Sequence, residues 1–331
     1  MSDPGSFRPS WLIRGAQVQS ILATKSPRRR RWLRAGSRME ALSQPHLLDA
    51  GDHVRLTGRH SRQPPGVSAK GLVVLIHGWE GSHDSAYLYS MACAVFEAGY
   101  HVFRLNLRDH GGSHHLNREL FHSARIREVI GAIRTVQTLD PVQPLFVIGF
   151  SLGGNFALRV GLHGPAAGVR PALSLGICPA INPAATVRAI DEGPLLFRHY
   201  FMNKWRQTVA AKQRAFPDLK LDGLVGPRSL HDITARFVAD HTEYDALDAY
   251  FQAYTLTGPL LAAAPSPLAI ITAQDDPVVP FEDFSGLRET GALRHLLTPA
   301  AGGHCGFIDD LGLSCWAERQ TLQLLDQARA G

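Results

Sequence analysis

Short, nearly continuous apolar runs recur along the chain and are separated by stretches of helical periodicity. They are LVVLIHG (72–78), HVFRLNLR (101–108), PLFVIGF (144–150), PALSLGIC (171–178), PLAIITAQ (267–274) and LRHLLTP (293–299). Each is too short for a helix that must bury one stripe, and each is rich enough in Val, Ile and Leu for a strand covered on both faces. Between them, residues 86–99 read as a helix ending at Gly99. Residues 123–139 read as an amphipathic helix with Ile126, Val129, Ile130 and Ile133 on one face, and a further helix starts after residue 150. A last helix covers about 314–329. Strands alternating with helices of this length require right-handed crossovers, so the expected class is α/β, with a mostly parallel central sheet flanked by helices. A chain of 331 residues can bury such a core without disulfides or metals.

The alternation has two exceptions. Residues 1–36 read as an irregular basic N-terminal arm, and RMEAL and HVRLTGRH as short, part-polar edge strands opening a domain that spans 37–331. Residues of about 179–265 hold no strand-like run, so they read as an inserted, largely helical lid. Within it Phe197, Phe201, Trp205 and Val209 recur every four residues and are interleaved with Arg198, Lys204, Arg206, Lys212 and Arg214. That is an amphipathic helix, packed on the protein's own core or in peripheral contact with a lipid surface.

Net charge is +5, with much of the excess in KSPRRRRWLR, including Arg28–Arg31. No helix-turn-helix, zinc knuckle or aromatic RNA-binding box accompanies the run, so it reads as a solvated basic surface segment and no nucleic-acid partner is expected. Cys93, Cys178, Cys305 and Cys315 form no C-x-x-C pair, which suits a reducing compartment. The first residues lack a signal-peptide pattern, and no window approaches the roughly 18 apolar residues of a membrane span. A cytoplasmic location is the expectation.

The run PLFVIGF leads directly into SLGG, placing Ser151 at a strand–turn–helix junction flanked by Gly149 and Gly153. This is the nucleophile-elbow pattern, in which the turn is too tight for neighbouring side chains and the serine oxygen projects at the carboxyl edge of the sheet. A serine hydroxyl is a weak nucleophile and needs a base, which in turn needs an orienting acid. In such elbows the partners follow in the order serine, acid, histidine. LAIITAQDDPVVP ends a strand with Asp275 and Asp276, and LLTPAAGGHCGF then presents His304. Asp276 is the expected acid, because Pro277 turns the chain away immediately after it; Asp275 is the alternative. Leu152 N–H and Trp79 N–H, the latter in HGWEGS, are the expected oxyanion donors, with His77 and Gly78 shaping that loop. His110, His114, His115 and His122 lack the helical i, i+4 spacing with a supporting acid of a zinc site, so no metal and no cofactor are expected. Cys305 reads as a small apolar filler beside His304.

Taken together, HGWEGSHDSAY, LNLRDHGGS, FHSARIREV, GFSLGGNF, DDPVVP and GGHCGF resemble the alpha/beta-hydrolase superfamily, and within it the YheT-like subfamily, over roughly residues 50–328. The resemblance implies an alpha/beta-hydrolase fold and a serine hydrolase of carboxylic esters with short, medium or lipid-like acyl groups. It assigns Ser151 as nucleophile, Asp276 as acid and His304 as base. Trp79 stands where relatives often carry leucine, which implies a bulkier pocket. The same triad would also serve an acyltransferase or thioesterase, and a non-catalytic binding protein on this fold is the alternative of a different class.

Overall fold

The computed structural model describes residues 7–24, 27–34 and 37–330. The N-terminal segment forms helices α1 (Ala16–Thr24), α2 (Pro27–Arg34) and α3 (Arg38–Ala41), followed by strands β1 (Ser43–Asp49), β2 (Arg55–Ser61) and β3 (Leu72–Ile76). Then come α4 (Ala86–Glu97), β4 (His101–Asn106), α5 (Ile126–Leu139), β5 (Leu145–Phe150), α6 (Leu152–His163) and β6 (Leu173–Ile177). Five helices precede the next strand: α7 (Pro183–Glu192), α8 (Leu195–Ala215), α9 (Leu230–His241), α10 (Leu247–Gln252) and α11 (Gly258–Ala262). The chain ends with β7 (Leu268–Ile271), α12 (Glu282–Ser285), β8 (Leu293–Leu297) and α13 (Trp316–Ala330).

The eight strands form one sheet in the order β1-β2-β4-β3-β5-β6-β7-β8. β1–β2 and β2–β4 pair antiparallel and every other pair is parallel. β3, β5 and β6 are buried along their whole length, as expected for a sheet covered on both faces. Alternate residues sort to two cores. Val73, Leu75, Phe146 and Ile148 pack with α4 and α13, while Val74, Ile76 and Val147 pack with Val129, Ile133 and Phe156 of α5 and α6. The strand β5 thus lies at the centre of the sheet, with its carboxyl end opening between β3 and β6.

Three expectations are corrected. The arm over 1–36 is not irregular where it is described, since it contains α1 and α2. The buried face of α1 is Gln19, Ser20 and Ala23, largely polar, so no apolar period announces it. RMEAL is helical rather than a strand: Ser37 Oγ accepts the Glu40 amide at 3.3 Å, an N-cap three residues before a Glu. The true edge strand is β1, and β2 lies one place inside it. The basic run is only partly solvated. Arg28 is buried and ion-paired with Glu318 of α13, Arg29 meets Asp84 at 3.4 Å, and Arg31 donates to Gly312 O.

The insertion between β6 and β7 is helical. Its long helix α8 buries Phe197, Trp205 and Val209 against the protein itself, so these residues of the apolar stripe are part of the core. One turn further on, Lys212 is fully buried. Its ammonium donates to Asp109 Oδ1 at 2.8 Å and to the carbonyls of Asn117 and Glu119, locking α8 onto the loop after β4. All four cysteines are free and buried. Among the described residues no helix is long and apolar enough to cross a membrane.

Candidate active site

Ser151 takes φ +54° and ψ −121°, a conformation that L side chains rarely adopt, at the step from β5 into α6. The turn closes so tightly that a Cβ on Gly149 would lie 1.9 Å from Gly153 O, and one on Gly153 would lie 2.3 Å from His77 O. Two glycines are therefore a steric requirement of the elbow. The strained turn is held from outside: Ser151 N–H donates to Ile177 O at 2.9 Å, and Ala180 N–H donates to Ser151 O at 3.3 Å. Asn155, fully buried one turn into α6, donates to Ala180 O and Tyr254 O, tying the helix to the insertion.

The loops after β7 and β8 converge at the same edge. His304 Nδ1 meets Asp276 Oδ2 at 2.8 Å and Oδ1 at 3.1 Å. Asp276 is fully enclosed, and its Oδ1 also accepts the amides of Val278 and Val279. Asp275 faces elsewhere and accepts the Gly303 amide at 2.8 Å, bracing the loop that carries His304. Burial lowers the proton affinity of the imidazole, but the charge and hydrogen bond of Asp276 raise it more, so its net direction is upward. Cys178, next to Ile177, places its Sγ within 4.8 Å of a ring nitrogen of His304. Burial drives that thiol far above its ordinary range, so it is a neutral neighbour. Elbow and imidazole thus border the same residue. Among the described residues the Ser151 hydroxyl has no hydrogen-bond partner, so its bond to His304 is not formed in this structure.

Leu152 N–H opens the first turn of α6, one of the amides that an α-helix leaves without an internal partner. Trp79 N–H has no acceptor among the described residues. Gly78 lies so close to the elbow that a Cβ on it would sit 3.1 Å from Ser151 Cβ. His77, completely buried, shapes the loop by donating from Nδ1 to Gly78 O at 2.7 Å and accepting the Leu107 amide on Nε2 at 3.1 Å. Burial, with His110 close by, keeps it uncharged. His110 donates to Arg108 O and accepts the Glu80 amide, and burial lowers it to about 4. Its role is to connect two loops. His122 stands in a cavity wall, lowered by burial and by Arg125 to about 3.

Ser151 and Leu152 open into a cavity of about 110 Å³. Loops after β3, β4 and β7 contribute Trp79, Phe121 and Val278 to its wall, and the insertion contributes Ile190, Phe201, Trp205 and Phe237. Trp79 stacks on Phe201 with centroids 5.5 Å apart and leans on Trp205 at 6.1 Å. Most of the lining side chains are apolar and Ser151 is among the few polar ones, which suits an apolar chain attached to a reactive polar group.

Sequence reasoning missed four participants. Lys212 was grouped with the cationic face of its helix. Ser20 and Gln19 lie in a segment whose sequence reads as irregular, and the sequence presents Asp275 only as an alternative acid. Only Gly302 and Gly303, which permit a close approach, hinted that something packs on the His304 loop.

A sequence profile described as the alpha/beta hydrolase fold matches residues 71–311. YheT of Escherichia coli (strain K12), provisionally named an esterase, is 28% identical over 273 residues, covering 79% of this chain and 77% of its own. A thermostable monoacylglycerol lipase of Bacillus sp. (strain H-257) is 32% identical over 124 residues, 37% of this chain and 44% of its own. Among solved structures, the esterase Pf2001 of Pyrococcus furiosus superposes with a TM-score of 0.57 at 16% identity, covering 86% of this chain and 92% of that one. With the sheet order, the elbow and a profile match over most of its length, the chain belongs to the alpha/beta hydrolase fold family.

Proposed function

We propose that the protein is a carboxylic ester hydrolase that works through an acyl-enzyme, with Ser151 as nucleophile, His304 as base and Asp276 as the acid that orients it. The observation that carries this reading is the buried Asp276–His304 pair beside a strained serine that faces an apolar cavity. An ester enters with its acyl chain against Trp79, Phe201 and Trp205. His304 Nε2 takes the Ser151 proton as Oγ attacks the carbonyl carbon, a contact that substrate binding closes, as in many sites that are loose when empty. The carbonyl oxygen becomes an oxyanion stabilised by the amides of Leu152 and Trp79. Asp276 stabilises the imidazolium, which then protonates the departing alcohol. Water, deprotonated by the same imidazole, attacks the acyl carbon and releases the carboxylic acid and the serine. The helical insertion is the lid that excludes water from the acyl chain. Esters of short and medium acyl chains are the expected substrates, and the names of the relatives point to ester and monoacylglycerol chemistry.

The test is covalent labelling with a fluorophosphonate together with turnover of a p-nitrophenyl ester series. The native protein is expected to label at Ser151 and to turn over short and medium esters. Ser151→Ala is expected to lose label and at least about 10⁴-fold in kcat, the scale seen on removing such nucleophiles. Turnover retained in Ser151→Ala refutes the assignment.

A further inference from the structure

The loop that carries His304 does not hold its own shape. Gly302, Gly303, Cys305 and Phe307 all have positive φ, at +149°, +54°, +62° and +51°, and two of these are non-glycine residues in a region that costs them free energy. Such a loop persists only where its surroundings over-determine it. Part of that constraint comes from Asp275, which accepts the Gly303 amide. Cys178 Sγ accepts the Cys305 amide and Phe307 O accepts the Trp316 amide. A further share comes from the opposite end of the chain. Ser20 Oγ accepts the backbone N–H of His304 itself at 2.8 Å while donating to Ala16 O at 2.7 Å. Gln19, with no exposed surface, accepts the Ile308 amide at 2.8 Å and donates to Ile308 O at 2.9 Å and Ile13 O at 2.8 Å. The two surfaces meet without a gap: a Cβ on Gly303 would sit 2.3 Å from Ala16 O, and one on Gly306 would sit 2.8 Å from Gln19 O.

We infer that α1 belongs to the catalytic apparatus, with Ser20 and Gln19 as positioning residues that fix the backbone of His304 while Asp276 fixes its ring. The inference rests on the hydrolase reading above. An imidazole anchored at Nδ1 alone can pivot, and a pivot carries Nε2 away from the serine. With the backbone amide also held, the point from which the side chain extends is fixed as well, which narrows the pivot. The clamp lies wholly before residue 71, where the family profile begins, so that profile does not include it.

Ser20→Ala removes the acceptor for His304 N–H and leaves every Gln19 bond in place, so the fold persists. A misplacement of about 1 Å at a reacting group costs on the order of 100-fold, so the expected loss in kcat is 10- to 100-fold. KM for a p-nitrophenyl ester is expected to stay within twofold, because no cavity residue moves, and the melting midpoint within a few degrees. Gln19→Met is expected to show the same split. Val18→Ala, on the exposed side of α1, is expected to leave kcat unchanged. A kcat within twofold of the native value in both Ser20→Ala and Gln19→Met overturns the inference, and so does a loss that appears equally in KM or tracks the melting midpoint. Fluorophosphonate labelling separates the two claims. An unlabelled native protein removes the hydrolase reading itself, whereas equal labelling rates in native protein and Ser20→Ala remove only the clamp.

Discussion

Glu80 offers the sharpest thermodynamic test of how the site is built. It follows Trp79, has φ +58° and is more than nine-tenths buried. Its Oε2 accepts the Thr208 hydroxyl of α8 at 2.6 Å, while Oε1 is buried with no partner among the described residues. Burial pushes the carboxyl from 4.5 up to about 7, against the Thr208 bond and the charge of Lys204, with Asp109 adding to the push. The sign follows from proton counting. Below about pH 4.5 the group is protonated whether the chain is folded or not. Between about 4.5 and 7 the unfolded chain has released a proton that the folded chain retains. Stability therefore falls as pH rises through that window and levels off above it. At about 1.36 kcal/mol per pH unit the loss amounts to about 3 kcal/mol. Glu80→Gln keeps an acceptor for Thr208 and cannot ionise, so the loss disappears. The assay is urea unfolding of both proteins from pH 4.5 to 8. Other groups contribute too, since the buried His77 and His110 stay neutral in the folded chain but bind protons in the unfolded one, so the informative quantity is the difference between the two proteins. Glu80→Gln is expected to gain about 3 kcal/mol relative to native protein between pH 4.5 and pH 8. A relative change below about 1 kcal/mol across the same range refutes the burial argument.

Three further outcomes are expected. Asp276→Asn should cost about 10³- to 10⁴-fold in kcat, because an amide cannot stabilise the imidazolium or enforce its tautomer. Asp275→Asn should cost less than tenfold, because an amide oxygen still accepts the Gly303 amide; steady-state kinetics of the two variants separate their roles. Trp79→Leu should shift the preferred p-nitrophenyl ester toward longer acyl chains without a large loss in kcat, since the indole forms part of the cavity wall while the proposed oxyanion donor is its backbone amide; a chain-length profile measures it.

The parts of this molecule legible in sequence are those governed by local pattern. β3, β4, β5, β6, β7 and β8 were read from apolar runs because strands buried on both faces need continuous hydrocarbon. Ser151 was legible because the close approach of Gly149 to Gly153 leaves a glycine signature, and the Asp276 and His304 loops because each directly follows such a strand. What stayed hidden depends on contacts between distant segments. The polar inner face of α1 carries no apolar period, since Gln19 and Ser20 satisfy backbone groups of residues 304 and 308. Lys212 looked like one of several surface cations, although it is buried in an ion pair with Asp109, and removing either partner of such a pair costs about 3–5 kcal/mol. The apolar stripe of α8 was legible, but its destination was not. Periodicity says that a face is apolar and leaves open whether it meets lipid, ligand or the protein's own core.

The distribution of backbone strain shows why those long-range contacts are needed. Among the described residues nine non-glycine residues have positive φ, and six of them, Glu80, Asp109, Ser151, Cys178, Cys305 and Phe307, lie on the loops that form or brace the site. At about 1–2 kcal/mol each, six such residues cost about 6–12 kcal/mol, comparable with the whole net stability of a folded domain. Each is tied by a bond to another loop or element. Glu80 is held by Thr208 and by His110, Asp109 by Lys212 and the Phe121 amide, Ser151 by Ile177 and Ala180. Cys178 N–H donates to Ile271 O, Cys305 N–H to Cys178 Sγ, and Phe307 O accepts the Trp316 amide. None of these ties is local to the strained turn it secures. The loops of Glu80 and Asp109 are therefore held by α8, the elbow by β6 and the residues just after it, and the base loop by Cys178 and the start of α13. By the same logic the catalytic geometry is a property of the assembled chain and not of any motif within it.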